Sequence, residues 1–299
     1  MGRKPLKQAK AVAKATAKVT AKAAVAAAST VVKMPPVVSA ANEGDTRVTR
    51  DSTVRQQASI MPGEMSTWRS TVSRDEVVAL PTVGVRTKRV LLVRHGQTDF
   101  NKRKICQGRR LNPPLNDVGR EQARQLLPNF SLDAIVCSPL RRARETAEIV
   151  QTSHLGTSVI MSNDLNEVDF GGAEGLPQAV AAVVLAPSYM AWKVGRFEVR
   201  SVRAGESGED LQQRTAAAVE VLLHACTEGS QVLAVTHSSM IKFMLATLLG
   251  VPLSWIRKLG QDNCAVNALD FDPASGVWEA VVINGRRASG RADRFDSEA

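Results

Sequence analysis

The stretch Val90-Leu91-Leu92-Val93-Arg94-His95-Gly96 places a histidine, between an arginine and a glycine, directly after four apolar residues. A short apolar run of this kind is typical of a buried β-strand. Ligands collect at the C-terminal ends of strands in an α/β sheet. Because an arginine guanidinium grips phosphate with two hydrogen bonds and keeps its charge, this strand end could bind an anion. The tripeptide alone fits a capped strand end with an incidental histidine equally well.

Two further strand patterns end in polar side chains of the same kind. Val232–Val235 leads to His237, and a helical pattern follows at once, so a helix N-terminus would favour an anion there. Ala134–Cys137 is followed within a few residues by Arg141 and Arg142. If the three strands are neighbours in one parallel sheet, their ends form one crevice that holds two histidines and two or three arginines.

Strand and helix patterns alternate along the chain from residue 88 onward. This alternation predicts an α/β fold, a three-layer α/β/α sandwich around a mostly parallel sheet. Helices are expected over Asp117–Leu127, from Pro139 to about Val150, over Asp210–Cys226 and over Ser238–Leu249. The other expected strands are Ser158–Met161 and an antiparallel pair, Ala265–Phe271 with Val277–Ile283.

The positive charge of the chain is concentrated at one end. The 299 residues carry a formal net charge of +10, and residues 1–33 hold eight cationic side chains and no acid, which leaves +2 for the rest. Five lysines from Lys7 to Lys22, spaced three or four apart, would form one face of a helix. Residues 1–34 therefore fit an organelle-targeting segment, a polybasic arm for nucleic acid or anionic membrane, or a segment with neither role. A nucleic-acid partner is not expected for the folded part.

Composition also sets the expected domain boundaries. Residues 35–87 contain Pro35-Pro36 and scattered small polar residues without a sustained period, which predicts a mostly disordered linker. Residues 88–285 are expected to form the folded domain, and residues 286–299 a polar tail. The expected location is the cytoplasm, or a mitochondrion or plastid if the basic segment is a targeting signal.

Two classes of function find no support in the sequence. The longest wholly apolar run, Ala179–Ala186, is far shorter than the roughly 20 residues that span a bilayer, so no membrane span is expected. The four cysteines are widely spaced and form no Cys-x-x-Cys, and with four histidines no zinc-ligand spacing is present. Neither a metal nor another cofactor is expected, and no feature predicts the oligomeric state.

Six blocks of the chain, in order, resemble the signature motifs of the histidine phosphatase (phosphoglycerate mutase-like) superfamily. The first, Arg94 to Asn101, resembles the family's Arg-His-Gly-Glu-Thr-x-Trp-Asn. The later blocks are Gln107-Gly108 with Pro114 to Ala123, Ser138 to Ala147, Leu165 to Gly175, Gly205-Glu206-Ser207, and Val235-Thr236-His237. The resemblance covers about residues 88–285 and implies the phosphoglycerate mutase-like fold and an enzyme of the phosphatase branch.

The resemblance also implies roles for individual residues. His95 would be the nucleophile that takes the phosphoryl group as phosphohistidine. Arg94, Arg142 and His237 would surround the phosphoryl oxygens. Glu167 would protonate the leaving oxygen and then deprotonate the attacking water. Asn101, Gln107 and Gly108 would line the phosphate pocket, and Ser238, which stands where the family often has a glycine, could add a donor to the anion.

This chemistry suits the residue types present. Phosphoryl transfer depends mostly on positioning and charge stabilisation, which fixed guanidinium groups can supply without a metal. A neutral imidazole can attack phosphorus, and flanking cations disfavour its protonation. Glu167 has two acidic competitors nearby in the sequence, Glu174 and Glu206, and only the motif register favours Glu167.

Three functions remain open on the sequence. The first is a metal-independent phosphomonoesterase that acts on a small phosphorylated metabolite, and the second is a mutase of the phosphoglycerate type. The third is a pseudoenzyme that binds phosphorylated ligands, which the intact set of histidines, arginines and glutamate disfavours. Residues 176–204 are expected to overlie the site, where Lys193, Arg196, Arg200 and Arg203 could favour polyanionic substrates, although a solvated charged loop is the simpler interpretation.

Overall fold

The computed structural model describes residues 80, 82–127, 130–202, 204–250 and 260–285. The predicted basic segment 1–34, nearly all of the predicted linker and the predicted tail 286–299 lie outside these residues. No helix in the described ranges is long and apolar enough to cross a membrane.

A six-stranded sheet forms the centre of the domain. Its strands are β1 (Lys88–Arg94), β2 (Ala134–Cys137), β3 (Ser158–Met161), β4 (Gln231–Thr236), β5 (Val266–Asp272) and β6 (Val277–Gly285). They lie in the order β3-β2-β4-β1-β5-β6. The first four pair in parallel, whereas β5 pairs antiparallel with both β1 and β6. The predicted α/β fold with a mostly parallel sheet is confirmed.

The strand register brings the three predicted strand ends together. Arg94 at the end of β1 lies opposite Thr236 of β4, and Cys137 at the end of β2 lies opposite Val235. The His95 amide donates to the Thr236 carbonyl at 3.0 Å, which extends the pairing one residue beyond β1. The carboxyl ends of β2, β4 and β1 are therefore adjacent, and the crevice outside them is where an open α/β sheet binds ligands.

Six helices cover the described part of the sheet and its edges. They are α1 (Asp99–Lys102), α2 (Asp117–Arg124), α3 (Arg141–Gln151), α4 (Gln178–Lys193), α5 (Gly208–His224) and α6 (Ser238–Leu249). The prediction that α2 extends to Leu127 is wrong, because Leu127 takes a left-handed φ of 49° that a helix cannot continue through. The α5 helix begins two residues earlier than predicted, because Ser207 caps it in a capping box with Asp210.

The central strands are apolar throughout because both faces of the sheet are covered. Val90 and Leu92 of β1 pack into one apolar cluster with α5 and α6, while Leu91 and Val93 pack into a second cluster with α3. All four side chains are fully buried. This double coverage explains why the strand appears in the sequence as a continuous apolar run rather than an alternating one.

The sequence analysis did not predict α4, which occupies most of the segment expected to overlie the site. Its buried side chains, including Leu185 and Trp192, pack in a third apolar cluster with Phe243 of α6. Val183 and Met190 lie on its other side and are exposed. With apolar residues on both sides and Pro187 inside the helix, the segment lacks the one-sided pattern that indicates a surface helix.

Candidate active site

His95 lies at the centre of the crevice with its ring buried. Its Nδ1 is 2.7 Å from the carbonyl of Gly96, and a carbonyl only accepts, so Nδ1 carries the hydrogen. Its Nε2 lies 3.2 Å from Nε of Arg142, which donates to it. Burial, and then the charges of Arg142 and Arg94, hold the pKa of His95 well below its ordinary value. The neutral imidazole therefore presents the lone pair of Nε2.

His237 faces His95 across the crevice, with the two ring centroids 5.1 Å apart. Its ring is fully buried, and its Nε2 lies 2.9 Å from Oγ of Ser138. Burial is the main reason why the pKa of His237 lies well below its ordinary value, and the nearby cation Arg142 lowers it further. The predicted pairing of two histidines at adjacent strand ends is thus present.

Arg142 and Arg94 supply the positive charge of the site. Arg142 is buried and donates to the carbonyls of Leu111 and Gly108 at 3.0 and 2.7 Å, in addition to its bond to His95. Burial lowers the pKa of Arg142 to about 10, so the side chain stays cationic at neutral pH. Of the five N–H donors of a guanidinium, these three bonds leave two unused by described groups.

A polar segment, residues 261–267, holds the His95 backbone and the Arg94 side chain. Arg94 Nη1 donates to the carbonyl of Gln261 at 2.5 Å, and Asn263 donates to the carbonyl of His95 at 2.9 Å. The side-chain amides of Gln261 and Asn267 bond to each other in both directions, at 2.9 and 3.0 Å. Buried amides are tolerated where they are fully paired, and this pair fixes the position of the Gln261 carbonyl. The sequence analysis missed this segment, because an isolated Asn in a strand carries no local signal.

Glu167 lies at the N-terminus of α6, the helix that begins directly after His237. Its Oε1 accepts from the backbone N–H groups of Val168 and Met240 at 3.0 and 3.2 Å, and its Oε2 accepts from Ser239 at 3.4 Å. The side chain of His237, the N-cap residue of α6, makes no capping hydrogen bond, and the Glu167 carboxylate caps the helix instead. Oε2 is the oxygen with the larger remaining capacity to carry a proton.

The two acidic competitors of Glu167 have other partners. The Glu174 carboxylate accepts from the backbone N–H groups of four residues and holds the loop that contains Gly108. Glu206 pairs with Arg214 through both carboxylate oxygens, at 2.7 and 2.9 Å, and with Arg109 at 2.8 Å. Glu167 is therefore the one of the three whose carboxylate meets the helix that starts at the crevice.

The predicted phosphate-lining residues lie around this cluster. Gly108 adopts a left-handed φ of 58°, and a Cβ there would lie 2.1 Å from Oε1 of Glu174, so only glycine fits. Gln107 is buried, and no described group hydrogen-bonds to its side-chain oxygen. Asn101 uses Oδ1 in the capping box of α1 with Thr98. Ser238 is the first residue of α6, next to His237.

Two of the predicted basic residues in the segment 176–204, Arg196 and Arg200, make pairs of their own. Arg200 contacts Asp210 at 3.0 Å and the carbonyl of Gly205 at 3.1 Å. Arg196 contacts Glu198 at 3.2 Å, with both side chains largely exposed. These pairs agree with the simpler interpretation, a solvated charged surface. Arg203 lies outside the described residues.

No three His, Cys, Asp or Glu side chains come together as a possible metal site in the described ranges. The cysteines at 106, 137, 226 and 264 are all free thiols. Burial raises the pKa of the Cys264 thiol, which follows the Arg94-binding segment, to about 12.

A model of the histidine phosphatase superfamily, branch 1, matches residues 90–284. The chain therefore belongs to the histidine phosphatase superfamily, as the six motif blocks predict.

Named relatives include phosphatases and mutases. The chain is 33% identical over 211 residues to a probable 2-carboxy-D-arabinitol-1-phosphatase of Arabidopsis thaliana, which covers 66% of this chain and 41% of that protein. It is 30% identical over 200 residues to a probable phosphoglycerate mutase, GpmB, of Yersinia pestis, which covers 65% of this chain and 90% of that protein. The chain thus spans less than half the length of the plant relative.

Solved structures share the fold. A mycobacterial glucosyl-3-phosphoglycerate phosphatase, solved with VO3, has a TM-score of 0.56 and 29% identity, over 66% of this chain and 99% of that one. A structure described as mycobacterial hydrolase 1 has a TM-score of 0.57 and 29% identity, over 67% of this chain and 99% of that one.

Proposed function

We propose that this protein is a phosphomonoesterase that hydrolyses a small phosphorylated metabolite through a phosphohistidine on His95. One observation carries the proposal. A neutral histidine, whose Nε2 lone pair accepts one described hydrogen bond, from Arg142, lies beside the buried Arg142 and the half-buried Arg94, whose hydrogen bonds are to neutral groups. Such cations keep their charge for an incoming anion, and the family assignment adds the expectation of a phosphoryl group.

In the first proposed step, the Nε–H of Arg142 leaves Nε2 of His95 for an oxygen of the phosphoryl group, Nε2 attacks phosphorus, and the P–O bond to the alcohol breaks. The leaving oxygen takes a proton from the carboxylic acid of Glu167, at Oε2. Arg142 and Arg94 stabilise the negative charge on the phosphoryl oxygens in the loose transition state. The hydrogen bond from Nδ1 of His95 to Gly96 keeps Nε2 directed at the phosphoryl group.

In the second proposed step, water attacks phosphorus and gives its proton to the Glu167 carboxylate. The P–N bond breaks, inorganic phosphate leaves, and His95 returns to its neutral form. The proton that Glu167 takes from water replaces the one that it gave to the alcohol, so the cycle is balanced. The charge stabilisation comes from guanidinium groups alone, and the proposed reaction is therefore independent of metals.

Hydrolysis of p-nitrophenyl phosphate in the presence of EDTA tests this proposal. We expect activity in the unmodified protein, its loss by at least about 1000-fold in His95→Ala, and no loss in the control His224→Ala. His224 is exposed at the end of α5 and is a matched histidine outside the site. A phosphohistidine trapped on His95 during turnover would support the mechanism, whereas activity in His95→Ala would contradict it.

A mutase is the second candidate, favoured by the similarity over 90% of the length of GpmB. A mutase would isomerise 3-phosphoglycerate in a reaction that depends on the bisphosphate, and would show little hydrolysis. Measuring both reactions on the same preparation decides between the two.

For the substrate, we propose that screening start with phosphorylated sugar acids. The names of two relatives, 2-carboxy-D-arabinitol-1-phosphatase and glucosyl-3-phosphoglycerate phosphatase, both denote phosphoesters that also carry a carboxylate. Equal rates on neutral sugar phosphates and on sugar-acid phosphates would contradict this choice.

For the location, we propose that residues 1–34 direct the protein to an organelle. Their support is the acid-free series of lysines at helical spacing. A reporter fused to residues 1–45 should then enter a mitochondrion or plastid, and a reporter that stays in the cytoplasm would contradict the proposal.

A further inference from the structure

One nitrogen of His237 is left without a partner inside the site. Its Nδ1 is buried, and no described group hydrogen-bonds to it. Its Nε2 lies 2.9 Å from Oγ of Ser138, a residue at the end of β2. An unpartnered polar atom this deeply buried needs an explanation, and a bound ligand is one.

The surroundings of Ser138 determine which nitrogen of His237 carries the hydrogen. Ser138 Oγ lies 2.7 Å from Oδ1 of Asn166, and the amide nitrogen of Asn166 faces Oδ1 of Asn163 at 3.4 Å. Oδ1 only accepts, so the single hydroxyl hydrogen of Ser138 points to Asn166. Oγ therefore accepts from Nε2–H of His237, and also from the backbone N–H of Leu140 at 3.2 Å.

A neutral ring with its hydrogen on Nε2 has a lone pair on Nδ1. The ring is neutral because its burial and the adjacent cations lower its pKa well below the ordinary value. The charged or titratable groups around it are His95 and Arg94 after β1, Arg142 on α3, Arg214 on α5, and Glu167, which caps α6. Nδ1 is consequently an acceptor next to the place where phosphate is proposed to bind.

We propose that Ser138 and Asn166 are positioning residues that hold His237 as the Nε2–H tautomer, so that Nδ1 shares the proton of a phosphoryl group bound as its monoanion. This inference rests on the proposed function. The lone pair of Nδ1 would repel an oxygen of the dianion, whereas one proton between them forms a hydrogen bond. The complex thus holds one proton more than the free protein and the dianion together.

Proton uptake on binding of phenylphosphonate, a non-hydrolysable phosphate-ester analogue whose dianion carries no proton of its own, tests this inference directly. Calorimetric titrations in two buffers of different ionisation enthalpy give the number of protons taken up. We expect about one proton per bound phosphonate at about pH 8.5, where the free ligand is mostly the dianion, and almost none at about pH 5.5, where it is mostly the monoanion. Above its second pKa, the affinity should fall up to about tenfold per pH unit. Binding without proton uptake at the higher pH would overturn the proposal.

Variants assign the proton to one histidine. In His95→Ala the uptake should remain about one, because the proton is on Nδ1 of His237. In His237→Asn the uptake should disappear, because an amide that does not titrate takes the place of Nδ1. The opposite pattern would put the proton on His95 and overturn the proposal.

Variants of Ser138 test the positioning role. In Ser138→Ala the ring is free to carry its hydrogen on Nδ1 and donate to the dianion, so the uptake should fall close to zero. Ser138→Thr keeps the hydroxyl and should keep the uptake near one. A purely structural role would lower the thermal stability in Ser138→Ala and leave the proton count unchanged, which would overturn the proposal.

The proton count and the proposed function fail separately. Phosphonate that binds without proton uptake contradicts only the role of Ser138 and His237, whereas hydrolysis and phosphohistidine trapping stand. A protein that binds no phosphonate and hydrolyses no phosphate ester contradicts both.

Discussion

The arginines at the carboxyl ends of β1 and β2 differ from other arginines of the domain in the partners they contact. Arg94 and Arg142 donate to backbone carbonyls and a neutral imidazole, and neither makes an ion pair with a described carboxylate. By contrast, Arg110, Arg200 and Arg214 pair with Asp169, Asp210 and Glu206. Residue type alone does not distinguish these five arginines. Their partners determine whether their charge is available to a ligand.

Neutral partners fix a guanidinium in place without cancelling its charge. Carboxylate partners fix it and also neutralise it, which lowers the field that a phosphate would meet. The proposed attraction of the crevice for phosphate therefore comes from two placed side chains, although the net charge of the chain outside residues 1–33 is only +2.

The largest expected effect separates two arginines of the same helix, α3. Arg142→Ala should lower kcat/KM by about 1000-fold, because it removes a cation from the phosphoryl oxygens. Arg144→Ala should change kcat/KM by less than about threefold, because Arg144 is half-exposed and pairs with Glu148. Steady-state kinetics on p-nitrophenyl phosphate measure both.

Thermal unfolding of both variants is the control, because Arg142 also holds two carbonyls of the 108–111 loop. Arg142→Lys keeps the charge and not the fork, and should recover part of the loss. Equal effects of the Arg142 and Arg144 substitutions would break the distinction between the two groups.

The second effect is on stability and concerns the buried ion pair between Glu206 and Arg214. Glu206→Gln leaves the Arg214 guanidinium, with 11% of its side chain exposed, without its counter-charge. We expect the free energy of unfolding to fall by about 3 kcal/mol, as measured in urea. The phosphate affinity of the folded variant should change much less than in Arg142→Ala. A large loss of phosphate affinity with unchanged stability would place Arg214 with Arg94 and Arg142 among the arginines whose charge is available to a ligand.

The third effect is the pH dependence of stability that follows from the burial of His95 and His237 and, after it, from the cations beside them. The pKa of both His95 and His237 lies well below the ordinary value, so below about pH 6.5 the unfolded chain binds more protons than the folded one. Their stabilisation is complete above that pH and is lost as the pH falls. Each histidine should contribute a slope of up to about 1.4 kcal/mol per pH unit. In His95→Asn the slope measured by urea unfolding should drop by one histidine's share, and an unchanged slope would contradict the assignment.

The smallest effect is expected for the exposed arginines Arg196 and Arg200. Reversing the charges of Arg196 and Arg200 to Glu should change the ratio of kcat/KM for a bisphosphate and a monophosphate by less than about threefold, because both arginines already pair with acids. A larger change would restore these residues to a role in substrate choice.

Local patterns predicted the sheet and the ends of its strands well. The apolar runs that became β1, β2 and β4 are fully buried, and buried parallel strands are continuous in their hydrophobicity. The α4 helix was missed because apolar side chains lie on both of its sides. Helix ends were displaced where the deciding feature was a single residue, such as the left-handed Leu127 or the cap at Ser207.

The sequence by itself determined the order of the strands' polar ends and the residue types that meet there, because strand periodicity and motif spacing are local. Only the tertiary structure decided which of three glutamates caps α6, which arginines lack acidic partners, and which nitrogen of His237 carries the hydrogen. These outcomes depend on contacts between groups tens of residues apart, such as Ser138 with His237 and Glu167 with Met240. Hydrogen bonds act over about 3 Å, so no spacing along the chain can specify them.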